Sequence, residues 1–309
     1  MPSTLQKYIA DTRRLSRLVS PLPFSDADIG RFINEAKDYI SSLVPFAPAV
    51  LYFNGEVGKQ IYTITSDVLQ VLSCLIYPYR SDRLAANLSQ DANSLTVDNI
   101  SGFPQQGYLL LGEPPNMEIV QYSNISGSSF TGLVRGRFGT TAKQFVAANN
   151  VPVRLWNENV SWMNVVPQTD VTLFQETKLA TRFDVNTFPS LFSVRGSLLM
   201  LDQPFSVNAY KGIMLYVLIK PSDLVNNNDV IYGLPEAFER LIPITATMFI
   251  LKAIGGDDVG FKYQSLEQEF QFFISRLKEY VDGTVRGVYG AIVPETVRSA
   301  TRQGRPVVG

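Results

Sequence analysis

The chain has 309 residues, 45% of them hydrophobic and 18% charged, against about a quarter charged in an average globular protein, and its formal net charge is −1. That length can bury one or two sizeable cores, the low charge suits a protein that hides surface in an assembly, and the near-neutral balance offers no global field to nucleic acid or membrane. With no histidine and one cysteine, triad hydrolysis, histidine-based metal catalysis and an intrachain disulfide are excluded.

Ser3 followed by Gln6 predicts a capping box, and Leu5, Tyr8, Ile9, Thr12, Leu15 and Leu18 at helical spacing predict a first helix over about residues 4–19. Pro21 and Pro23 break it. Ser25, Asp26 and Asp28 then supply a cap and first-turn acids for a second amphipathic helix through Ile29, Phe32, Ile33, Ala36, Ile40 and Leu43. Val50–Phe53 and Gln60–Ile64, around Asn54-Gly55 and Gly58, predict a hairpin with a long loop. Val68–Tyr77 fits strand or helix, with Pro78 favouring a strand end. Cys74 lies in this apolar run and reads as a buried, inert thiol.

From Leu84 to Asn157, alternating apolar and polar positions are punctuated by Gly, Pro and Asn, the pattern of short strands closing into a small barrel. Within it Arg135, Arg137 and Phe138 put basic and aromatic groups on one turn. They form either an outward contact for anionic groups or a solvated turn shaped by its glycines. Strands at Val171–Phe174, Ser197–Leu201 and Ile213–Ile219 resume the β-region beyond the insert.

Leu234-Pro235-Glu236 opens a helix that runs to Gly255-Gly256, with a kink expected at Pro243. Asp257 caps a last helix, and Val259, Tyr263, Leu266, Phe270, Phe273, Leu277 and Tyr280 repeat in steps of four and three until Gly283. That stripe is either a core face or a seam between subunits. The remaining chain carries Arg286, Arg298, Arg302 and Arg305 among Tyr289, Ile292, Val293 and Val297. It is either a frayed tail or an arm that orders on a partner.

The segmentation that follows is 1–48 for the N-terminal helices, 49–83 for the first β-segment and 84–157 for the inserted barrel. Residues 158–233 form the second β-segment, 234–283 the C-terminal helices and 284–309 the arm. The fold class is α+β, a helical bundle from both chain ends with a central antiparallel β-region and an inserted barrel. No phosphate loop, nucleophile elbow or cysteine metal spacing occurs. Catalytic, cofactor and metal residues are accordingly assigned as none, although carboxylate-pair chemistry needs no histidine and stays open. No signal peptide or membrane span is read, so the expected site of synthesis is the cytosol.

Ser101-Gly102-Phe103-Pro104 through Arg135-Gly136-Arg137-Phe138-Gly139-Thr140-Thr141-Ala142 resembles a small β-domain found in structural proteins of tailed bacteriophages. Thr4-Leu5, then Phe24 to Ala36, and the pair of helices opening at Leu234-Pro235-Glu236-Ala237-Phe238 look like the ends of phage head-to-tail connector (adaptor) proteins. Phe145 and Ala148 stand where the β-domain often has His and Gly. The resemblance implies a non-enzymatic virion protein at the head-tail junction. It implies a homo-oligomeric ring of twelve copies under the portal protein, with Arg286, Tyr289, Ile292, Val293, Val297, Arg298, Arg302 and Arg305 docking on the portal. Tail nozzle or tail fibre proteins would bind below, with sequence-independent contacts to packaged DNA and none to membrane. The alternative is a fibre, baseplate or spike component that binds a host glycan through the barrel.

Overall fold

The computed structural model describes residues 2–16, 24–113, 115–156, 162–167, 188–255 and 257–285, and divides into two compact units. The first comprises Met1–Ala49, Thr65–Leu72 and Tyr216–Gly309; the second comprises Val50–Ile64 and Ser73–Leu215. The protein is mixed α and β, with four long helices and one large mixed sheet among the described residues.

In the first unit, α1 (Leu5–Ser16), α2 (Asp26–Leu43) and α4 (Asp257–Tyr280) all pack on α3 (Leu241–Ile254). The sequence of α3 dictates this, because Leu241, Ile242, Ile244, Met248, Ile250 and Leu251 leave it apolar on every side and it must be surrounded. Its buried Thr245 and Thr247 hydroxyls donate back to the carbonyls of Leu241 and Pro243, so they cost no unpaired polar group. Ile29, Ile33, Ala36 and Ile40 bury the inward stripe of α2, and Ser25 caps that helix as expected, in a capping box that Asp28 completes. On α4, Leu266, Phe270 and Leu277 enter the same core, so the periodic stripe is a core face.

Three local expectations are corrected. Ser3 does not cap α1: its N–H and hydroxyl both donate to the Glu239 carboxylate, while Thr4 Oγ1 accepts from the Lys7 N–H at 3.4 Å. Pro243 produces no kink, because α3 begins only at Leu241 and the proline falls in the first turn, where an N–H has no intrahelical partner. A 3-10 turn, Glu236–Phe238, takes the place of the earlier helix start. Gly255, at φ +70°, ends α3 as predicted, whereas the turn after α4 widens over Val281–Val285 and passes through Gly283.

The strands in chain order are β1 (Ala47–Gly55), β2 (Ile61–Thr63), β3 (Val68–Ile76), β4 (Ser81–Arg83), β5 (Ser94–Thr96), β6 (Gly107–Glu113), β7 (Asn116–Tyr122) and β8 (Asn124–Ser126). They continue as β9 (Ser129–Thr131), β10 (Val134–Arg137), β11 (Pro152–Trp156), β12 (Met163–Pro167), β13 (Leu191–Arg195), β14 (Leu198–Leu201) and β15 (Ala209–Ile219). The main sheet runs β10-β7-β6-β11-β4-β15-β3-β12-β13-β14-β2, with β1 on β15 and with parallel pairs at β12–β13 and β15–β4. Val68–Ile76 is thus strand. The predicted hairpin is absent, since β1 pairs with β15 and β2 with β14. The strand expected at 171–174 lies outside the described residues.

The inserted segment does build a core of its own, around Leu95, Leu109, Leu111, Val120, Tyr122, Phe130 and Val153. It does not close into a barrel among the described residues. β11 joins β6 on one edge and β4 on the other, which extends the sheet, and β5-β9-β8 form a separate three-stranded sheet of strands only 3 residues long. Cys74 is fully buried in β3, and burial pushes its thiol pKa up. We expect no reaction with a thiol-specific disulfide reagent in the native protein and one equivalent on unfolding, read by absorbance.

Candidate functional site

The most constrained site is the turn from Val134 to Lys143. Register places Glu118, Val120 and Tyr122 on the core-facing side of β7, so Glu118 is a fully buried carboxylate. Its oxygens accept from Arg135 Nε and Nη2, both at 2.7 Å, from the Gly136 N–H at 3.0 Å and from the Lys143 N–H at 2.9 Å. Arg135 donates further to the carbonyls of Ser89 and Lys143. Thr140 Oγ1 accepts from the Ile119 N–H and donates to the Arg137 carbonyl, tying the turn to β7 a second time. Gly136, at φ +66°, has Thr140 O only 3.0 Å from where a Cβ would stand.

The Arg-Gly-x-x-Gly-Thr segment is therefore a clamp. Arg135 is corrected from an outward contact to a buried partner of Glu118, with its side chain 8% exposed. Arg137 and Phe138 do face solvent. Sequence reasoning missed Glu118, yet the signal was present: an acid in phase with Val120 and Tyr122 on the inward side of a strand requires a buried cation.

Phe138 is 49% exposed and sits in the left-handed region at φ +51°. Its ring lies 5.2 Å from Tyr108 and 4.7 Å from Trp156, which are 6.0 Å from each other. Neither Tyr108 nor Trp156 was singled out from the sequence, because only cross-strand register brings them together.

Several other polar side chains make structural contacts. A cleft of about 570 Å³ is lined by Asn54, Arg80, Asp82, Asn99, Asn208 and Tyr210 among others. There Arg80 donates to the carbonyls of Asn208 and Asn99, and Asp82 accepts from the Arg83 and Asn99 N–H groups, so these side chains join loops together. Arg154, 1% exposed, donates to the Gly112 carbonyl and lies over the rings of Tyr77 and Trp162, and burial lowers its pKa. Among the described residues no cluster of three or more Cys, Asp or Glu could hold a metal ion, and no helix is long and apolar enough to cross a membrane. Arg286, Tyr289, Ile292, Val293, Val297, Arg298, Arg302 and Arg305 lie outside the described residues.

No protein-family model matches the chain, and no curated protein matches it.

Proposed function

We propose that this chain is a structural virion protein, a head-to-tail adaptor that forms a ring of twelve copies beneath the portal of a tailed phage. It extends the DNA channel and provides the platform for tail attachment. The observation that supports this reading is the shared core of the first unit, where helices from both ends of the sequence pack on α3. The intervening chain carries a second core of its own. A second feature supports it. Phe261 and Phe272 are 85% and 58% exposed on α4, and their spacing puts them about 20° apart on the helix, opposite its core stripe. A closed ring needs such apolar surface, because each copy meets its neighbours through two different patches.

In this reading the arginines and apolar residues after Val285 dock on the portal. A chain ending at Val285 is expected to keep its circular dichroism spectrum and thermal transition and to lose co-sedimentation with the portal. Full portal binding by the truncated chain would remove the arm from the account.

A further inference from the structure

We propose that Tyr108, Phe138 and Trp156 form a stacking platform for a pyranose ring, with Gln121 and Arg137 at its rim as hydrogen-bonding groups for the sugar hydroxyls. The site stands on its own geometry, whether or not the chain forms a ring.

Cross-strand partners share a face. Trp156 pairs with Tyr108, Tyr108 with Gln121, and Gln121 with Val134, so these four residues form one row across β11, β6, β7 and β10. The row lies on the side of the sheet opposite the module's core, which takes Leu109, Val120 and Tyr122. Phe138 folds over the Tyr108–Trp156 end of this row. The result is a rigid aromatic cluster with one ring half in water, next to an amide and an exposed guanidinium.

The backbone of Phe138 argues that its position is not incidental. A bulky residue at φ +51° is strained, and glycine would occupy that conformation without cost. The Glu118–Arg135 clamp fixes the turn that holds the ring there, so a buried ion pair supports a strained, half-exposed aromatic. Packing alone would favour a fully covered ring.

The surrounding charge selects the ligand class. Arg135 is neutralised by Glu118, which leaves the turn two unpaired cations, the exposed Arg137 and Lys143, whose ammonium donates to the Pro115 carbonyl at 3.3 Å. Affinity for a nucleic-acid strand grows with the number of cations on its phosphates, and this surface is poor in them. A pyranose matches instead: its C–H face stacks on aromatic rings, and its hydroxyls both donate and accept hydrogen bonds.

The test is a glycan array of glucose, galactose, mannose and N-acetylhexosamine oligomers with the full-length protein, followed by titration of the strongest hit under tryptophan emission. The proposal expects saturable binding that weakens at least about tenfold in Phe138→Gly, with a thermal midpoint within about 2 °C of the parent, since glycine relieves the backbone while the ring is lost. Gln121→Ala, a rim change, is expected to weaken binding several-fold with the fold intact. An array without a hit overturns the proposal, as does equal affinity in Phe138→Gly or Gln121→Ala. Binding of a dodecameric oligothymidylate in place of any saccharide would assign the platform to single-stranded nucleic acid.

Discussion

Replacing Glu118 with alanine is expected to destabilise the second unit by about 3–5 kcal/mol, the cost of leaving one member of a buried ion pair without its counter-charge. The size follows from what the carboxylate holds. It is fully buried, it takes both prongs of Arg135, and it accepts from the N–H groups of Gly136 and Lys143. Removing it leaves a buried guanidinium without its counter-charge and two amides without their acceptor. Because the penalty belongs to the unpaired charge, Glu118→Ala with Arg135→Met should be less destabilised than Glu118→Ala alone. Urea unfolding of the parent and the two variants, followed by tryptophan emission, reads the difference. A single variant within about 1 kcal/mol of the parent would mean that the turn is held by other contacts.

Lys37→Met is expected to cost the first unit about 3 kcal/mol. Its side chain is fully buried in α2, and its ammonium donates to the carbonyls of Pro221 and Ser222, both at 2.9 Å, and to Asp223 at 2.7 Å. Methionine conserves the volume and the hydrocarbon, so the loss isolates the polar contacts of the ammonium, which include a 3.2 Å ion pair with Asp38 beside the three hydrogen bonds. The Lys37–Asp223 pair also predicts a pH dependence. Hydrogen bonding and charge from Lys37 hold the Asp223 carboxyl below the usual carboxylate range. Its folded pKa is lower than its unfolded one, so this stabilisation is present at neutral pH and is lost as the pH falls through that range. The acid side of the stability profile should therefore be shallower in Lys37→Met, as measured by urea midpoints between pH 7 and pH 3. An unchanged slope would show that Asp223 contributes nothing through this contact.

Locally encoded features were legible in the sequence. The spacing of Ile29, Ile33, Ala36 and Ile40, the Ser25–Asp28 cap and the Gly255 stop each depend on residues within one turn or one stripe, and each is found. The separate core of the inserted segment was also legible, because period-two alternation marks Leu109, Leu111, Val120 and Tyr122. What failed was non-local. Asn54-Gly55 has the chemistry of a hairpin turn, yet the Asn54 side chain accepts from the Lys211 N–H, and the strand after it pairs with β14. Barrel closure failed for the same reason, since the second edge of β11 pairs with β4 rather than closing on the module. The neighbours of Ser3 predict a cap, while its partner Glu239 lies 236 positions away.

At the site, the sequence singled out Arg135, Arg137 and Phe138 but could not separate inward from outward. Register decides this: Arg135 meets the buried Glu118, and Phe138 meets Tyr108 and Trp156 from two other strands. Those partners carry no local signal that ties them to the turn.

The measurement that bears most directly on the adaptor reading is the particle mass of the purified full-length chain, alone and mixed with its candidate portal, by native mass spectrometry. The account predicts that the portal recruits the chain into one closed species carrying twelve copies. No association with the portal, or a stable trimer of the chain alone, would contradict it and favour a fibre or receptor-binding role.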